Sequence, residues 1–225
     1  IKQLKGRNPK NRLFRFEQGV LASFAVDTLE VYMTTQLKGQ ETYFLPFNMG
    51  KGEGIETGSG NPHNPDGVDT EYLWLDVLTM DSILQLVESF IFYEVDKTNS
   101  KKKTLIFPRY HQRRAVSRLL EDMKTNHTDN NYLIQHSAGS GKTNTIAWLA
   151  HSLVSLHDDQ NRNIVDTVLI VTDRIVVDRQ LQDAVRQINH KNGVVKVMGD
   201  RETSSDLADA IAGNTKIIAT TIHKF

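Results

Sequence analysis

No cysteine occurs among the 225 residues, which excludes disulfides and thiolate metal sites. No apolar run approaches the roughly 18 residues that a membrane-spanning helix needs, and the opening IKQLKGRNPK lacks the apolar core of a signal peptide. Neither secretion nor a membrane partner is expected; a cytoplasmic address is. Net charge is missing too. Lys and Arg number 27 against 27 Asp and Glu, so bulk electrostatics makes no case for nucleic acid, and any DNA contact has to be argued from particular residues. What is present is ordinary for a soluble domain: 39% hydrophobic and 24% charged residues, in a length that allows one large domain or two smaller ones. Two are expected. The chain opens at Ile1 without methionine and closes on KIIATTIHKF, a buried strand running into a loop or helix, so a piece of a longer protein is expected.

Residues 19–47 hold strand-like runs, GVLASFAV and EVYMTT, separated by Asp27, Thr28 and Leu29, and then TYFLPF. Val, Phe, Tyr and Thr around a polar break read as a hairpin with a third strand. Six of the 14 glycines, with Pro62 and Pro65, fall between Gly50 and Gly67, which makes a long loop, either a surface connection or an ordered functional one. Beyond it, Ile83, Leu84, Val87, Phe90 and Ile91 fall on one helical face, with Thr79 or Asp81 placed to cap its start. DKTNSKKK, residues 96–103, reads as a linker whose Lys101 to Lys103 form a solvated face or touch phosphates.

From residue 104 the texture changes to alternating helices and short Val- and Ile-rich strands. HQRRAVSRLLEDM places Ala115, Val116, Leu119, Leu120 and Met123 on one face. YLIQH reads as a strand, NTIAWLAHSLVSL as a helix and VLIVT as a strand. Helix-then-strand pairs follow in DRQLQDAVRQI with VVKVM and SSDLADAIA with KIIATT. That alternation predicts a parallel sheet covered on both faces.

The most specific signal is HSAGSGKT, residues 136–143, between a strand-like run and a helix. Phosphate oxygens need donors converging from one side. A glycine-rich turn lets backbone amides approach, and the following helix adds its free N–H groups and positive dipole end. Gly139, Ser140 and Gly141 form the turn, Lys142 reaches the β- and γ-phosphates of ATP, and the Thr143 hydroxyl holds Mg²⁺. His136 stands where the strict pattern has glycine, in a packing or capping role. Upstream, FPRYHQ brings Arg109 and Gln112 toward the nucleotide. Gln112 lies 30 positions before Lys142; its amide reads an adenine edge, or it is an ordinary surface glutamine.

In order, FPRYHQ, HSAGSGKT, VLIVTDR and IIATTIHKF resemble the adenine motif, phosphate loop, motif Ia and next DNA-contact motif in the first RecA-like lobe of superfamily 2 helicases and translocases. Together with LFRFEQGVLASFAVDTLEVYMTT, FLPFNMG, GSGNP and TDRIVVDRQL, the set resembles the restriction (R) subunit of type I restriction-modification enzymes over nearly the whole chain.

The resemblance implies an α/β fold: a RecA-like P-loop parallel sheet with flanking helices over 107–225, a linker at 96–106, and over 1–95 an α+β remnant of a PD-(D/E)xK nuclease domain. It implies an ATP-driven motor acting on duplex DNA with modification and specificity subunits as partners. Thr172, Arg174, Thr220, Thr221 and His223 become backbone contacts to DNA, with Asp173 orienting Arg174 or capping a helix. The nuclease's catalytic Asp and Glu-x-Lys have no counterpart here. Gln3 matches the glutamine of a nuclease-associated QxxxY element, with Arg7 at the tyrosine position. The Asp-Glu motif expected after IIATTIHKF and the second motor lobe are absent, so the piece is expected to bind ATP without turning it over or cutting DNA. An ordinary superfamily 2 helicase with an unrelated N-terminal domain is the alternative.

Overall fold

A computed structural model describes the chain except residues 52–58, 97–98, 100–101, 128–129, 174, 189–193, 200 and 225; over 175–179 the backbone alone is described. Lys101, seven residues of the glycine-rich loop and Arg174 therefore lie outside the described residues. The chain divides into two units, Ile1–His111 and Gln112–Phe225.

The first unit opens with a short helix, α1 (Lys2–Lys5). The expected hairpin follows as β1 (Ser23–Val26) and β2 (Val31–Thr34), antiparallel from Ser23↔Thr34 to Val26↔Val31. Asp27 makes the turn: its Oδ1 accepts the Leu29 and Glu30 amides, each at 2.8 Å. Those two donors hold its carboxyl below the usual carboxylate range. The third strand is shorter than TYFLPF suggests. Only β3 (Leu45–Pro46) pairs with β2, and Pro46, which has no N–H, is tolerated there because β3 is an edge strand.

Phe47 (1% exposed) lies beneath this sheet, edge-on to Phe24, Phe107 and Tyr110, and Tyr110 meets Tyr72 the same way. The Tyr72 hydroxyl donates to the Phe47 carbonyl at 2.7 Å, and burial pushes its pKa upward.

The base of the long loop is ordered. Gly50 N–H donates to the Gly60 carbonyl at 2.9 Å. Buried Asn61 accepts from Met49 N–H at 2.8 Å and donates to the Leu29 carbonyl at 2.9 Å and to Asn48 Oδ1 at 3.1 Å. Asn48 Oδ1 in turn accepts the Val31 amide at 2.7 Å, so two short side chains tie three stretches of chain together.

The helical stretch beyond the loop breaks at Leu78 and Thr79, and its buried stripe differs from the expected one. It consists of a π-helical turn (Leu73–Val77), α2 (Met80–Gln85) and a second π-helical turn (Leu86–Phe90). Leu73, Val77, Leu86 and Phe90 are buried, whereas Ile83, Leu84 and Val87 are exposed. A π turn takes more residues per revolution than the 3.6 of an α-helix, so a stripe counted at one uniform period drifts off the buried face. Thr79 occupies the cap position of α2, yet its hydroxyl donates back to the Asp76 carbonyl at 3.0 Å. Within the stretch 96–106, residues 103–106 form a strand: β4 (Phe92–Val95) and β5 (Lys103–Ile106) pair antiparallel, with Asp96 N–H donating to the Lys102 carbonyl across the turn.

α3 (Tyr110–Asn126) carries the chain into the second unit, with Val116 and Leu119 on its buried face. The segment after it corrects the sequence reading. YLIQH forms no strand, and Leu133 is 93% exposed. Its start is tied instead to the end of α3, where the Asp122 carboxylate accepts from Asn126, Asn130 and the Tyr132 hydroxyl.

Then come α4 (Lys142–Val154), β6 (Val168–Thr172), α5 (Ile175–Ile188), β7 (Val195–Val197), α6 (Ser204–Ala212), β8 (Ile217–Thr221) and a 3₁₀ turn (Ile222–Lys224). The three strands form a parallel sheet ordered β6-β8-β7. β8, in the middle, shows why both faces are covered. Ile217 and Ala219 point to a core made with Ala147 and Ala150 of α4, Ile170, and Leu181, Ala184 and Val185 of α5. Ile218, one residue out of phase, points to Met198 and to Leu207 and Ala210 of α6. α6 starts at a capping box: the Asp206 carboxylate accepts the Thr203 amide at 2.7 Å and the Thr203 hydroxyl accepts from Asp206 N–H.

Candidate nucleotide-binding site

The loop before α4 is built as its glycines require. Gly139 and Gly141 have φ of 72° and 84°, the left-handed region that residues with a Cβ seldom enter. Gly141 is the N-terminal cap of α4, and Lys142 and Thr143 are the helix's first residues. The first-turn amides, which have no partner inside the helix, therefore open toward the loop. Ser140 is buried and Thr143 half-buried.

The Lys142 ammonium closes the loop on itself, donating to the His136 carbonyl at 3.0 Å and the Ser137 carbonyl at 2.8 Å. His136 packs here as expected. Burial, with the nearby Lys142 charge, holds its pKa below the usual imidazole value, so it is neutral at pH 7.

The structure brings Gln112 to this loop. The side chain, 4% exposed, donates from Nε2 to the Gly141 carbonyl at 2.9 Å. That contact joins residues 29 positions apart, and residue spacing gives no sign of it. The same carbonyl accepts the Thr145 amide at 3.2 Å and the Thr145 hydroxyl at 3.3 Å. Arg109 belongs to the first unit, half-buried in the turn ahead of α3.

At the carboxyl end of the parallel sheet, register sets Thr172 beside Thr221 and Val171 beside Thr220. Thr172 and Thr221 are half-buried, Asp173 and His223 are exposed, and Thr220 is fully buried. The Thr172 hydroxyl donates toward the Thr220 carbonyl at 3.5 Å. Gln3 is exposed on α1. Among the described residues no group of three or more His, Asp or Glu is arranged to hold a metal ion.

A family model described as SWI2/SNF2 ATPase matches residues 111–225, just over half of the chain, and the chain belongs to that family. Two relatives place it more narrowly. A Methanocaldococcus jannaschii protein described as a type I restriction enzyme endonuclease subunit (MjaVIIIP) is 30% identical over 146 residues, 62% of this chain and 14% of that one. A second from the same organism, with the same description (MjaVIIP), is 31% identical over 121 residues, 51% of this chain and 11% of that one. The resemblance to the endonuclease subunit of type I restriction enzymes therefore holds, and the chain spans about one-seventh or less of the length of these relatives. No solved structure matches the chain.

Proposed function

We propose that the chain is part of the ATP-driven, DNA-translocating and DNA-cleaving subunit of a type I restriction enzyme, and that its own contribution is one half of the ATP site. The observation that supports this is the loop at residues 136–143, with two left-handed glycines, a lysine and a threonine delivered to the start of α4. It has the chemistry of a phosphate cradle. At Gly139 the backbone approach is free of side chains, since a Cβ there would meet nothing within 4 Å. The Lys142 ammonium already rests on two carbonyl oxygens, the kind of partner a phosphate oxygen replaces.

In this reading Gly139, Ser140 and Gly141 present amides to the phosphates, Lys142 leaves its carbonyls to neutralise them, and Thr143 holds Mg²⁺. Bound Mg²⁺ neutralises charge on the transferring phosphoryl group. Gln112 and Arg109 lie on the adenine side. Residues 107–225 form the first RecA-like lobe, residues 96–106 a linker, and residues 1–95 the end of a PD-(D/E)xK nuclease domain and its connection. Thr172, Thr221 and His223, with Arg174, touch the DNA backbone without reading sequence. Thr220, the remaining candidate of that row, is fully buried. Modification and specificity subunits are the partners, and the complex acts in the cytoplasm. The likeness of the relatives to restriction subunits favours this over a plain superfamily 2 helicase.

Titration with a fluorescent ATP analogue in Mg²⁺ tests the proposal. Saturable binding abolished by Lys142→Ala is expected, with no steady-state ATP turnover by the chain alone. Binding that ignores Lys142→Ala would sink it.

A further inference from the structure

We infer that Gln112 is a positioning residue of the phosphate loop, whose grip on the triphosphate depends on the Gln112 amide whatever base the nucleotide carries. The inference rests on the ATP-site reading above and changes the role that reading gives to Gln112.

The argument starts from one peptide unit. The Gly141 carbonyl and the Lys142 N–H belong to the same planar trans peptide, so they point in opposite directions and turn together. Fixing the carbonyl fixes where the amide aims, and that amide belongs to the first turn of α4, among the donors a phosphate would meet. Gly141 has no side chain to hold it and sits at φ 84°, so the peptide's orientation is set by the donors its carbonyl accepts.

Gln112 is one of them. Its Nε2 reaches the carbonyl at 2.9 Å from a buried position on α3. The fit is close, since a Cβ on Gly141 would lie 2.4 Å from that nitrogen. The two Thr145 donors hold the same oxygen from the helix side, so the carbonyl is clamped between α3 and α4. The effect of Gln112 is on the direction of the Lys142 amide and the start of the lysine stem.

The two roles separate by ligand. A residue that only reads adenine affects ATP and leaves other triphosphates alone. A residue that orients the loop affects every triphosphate equally. Fluorescent ATP and GTP analogues in Mg²⁺, with inorganic tripolyphosphate as competitor, are titrated against the wild-type chain and the Gln112→Ala, Gln112→Glu and Lys142→Ala variants.

Gln112→Ala is expected to weaken all three ligands by a common factor of about 3 to 10, the worth of one hydrogen bond, with the ATP-to-GTP ratio unchanged. Gln112→Glu, which sets a carboxylate oxygen against the carbonyl, is expected to be at least as weak. A Gln112→Ala chain that loses only its ATP preference, with GTP and tripolyphosphate unaffected, overturns the inference and leaves an adenine reader. A fall in melting temperature with all affinities unchanged assigns the residue to packing and overturns it as well. If no ligand binds the wild type, or Lys142→Ala changes nothing, the nucleotide reading itself fails and takes the inference with it.

Discussion

Replacing Asn61 by alanine tests whether the base of the glycine-rich loop is held by one side chain. The change removes the acceptor of Met49 N–H and the donor to the Leu29 carbonyl and Asn48 Oδ1. These losses are unequal. Leu29 is 62% exposed, so water can take over at its carbonyl, and Asn48 Oδ1 keeps the Val31 amide. The Met49 amide, in a half-buried position, bears most of the cost. One buried group left unmade costs about 1–3 kcal/mol, and the partial loss at Leu29 adds less, so a net destabilisation of about 2–3 kcal/mol is expected.

Asn61→Asp sharpens the test. It keeps an acceptor for Met49 but turns an oxygen toward two oxygens, so it is expected to be worse than alanine at neutral pH and to recover in acid, where a protonated carboxyl donates again. Urea unfolding followed by near-ultraviolet circular dichroism gives the stability, and hydrogen exchange at the Met49 amide gives the local effect. A loss below about 0.5 kcal/mol in Asn61→Ala, with Met49 protection unchanged, would refute the reasoning.

Phe47→Ala is expected to cost about 3–5 kcal/mol and Phe47→Leu under about 1.5 kcal/mol, because the ring at 1% exposure is shared by Phe24, Phe107 and Tyr110; equal losses in the two variants, read by urea midpoint, would argue against a ring-packed core. His151 supplies a pH dependence. Its Nε2 donates to the Val185 carbonyl at 2.7 Å, joining α4 to α5, and burial holds its pKa below the usual 6.5. Unfolding therefore takes up a proton below that value, so this contribution is complete above about pH 6.5 and declines as pH falls. His151→Gln, which keeps a donor and cannot titrate, is expected to flatten the acid limb of stability measured from pH 8 to pH 5; an unchanged slope would exclude the group as its source.

The parts of the fold that were legible in the sequence are those whose chemistry is local. A glycine pair followed by lysine and threonine has to form a left-handed turn into a helix if it is to hold phosphate, and residues 139–143 do form that turn. Asp27 between two β-rich runs specifies a turn through its own carboxylate. The illegible parts depend on something distant. Residues 132–136 have strand composition, but a strand is defined by the neighbour it pairs with, and Asp122 holds Tyr132 elsewhere. The buried stripe of residues 73–90 escapes a search at one period because π turns change the period midway. Gln112 was visible as a candidate; its partner, a backbone carbonyl on the far side of the loop, was not.

The parallel pairing of β6 and β8 makes neighbours of Thr172 and Thr221 without reference to the chain between them. Everything from α5 through β7 to α6 hangs on that pairing as a side excursion. Residues may be added or deleted in the turns of the excursion, at Gly213 and Asn214 for instance, while the two threonines keep their spacing. A row of side chains set by hydrogen-bond register in this way has a fixed pitch, whereas the surface around it is free to diverge. On the proposed reading of these threonines as contacts to a polymer of constant repeat, the ruler and the casing can then change independently.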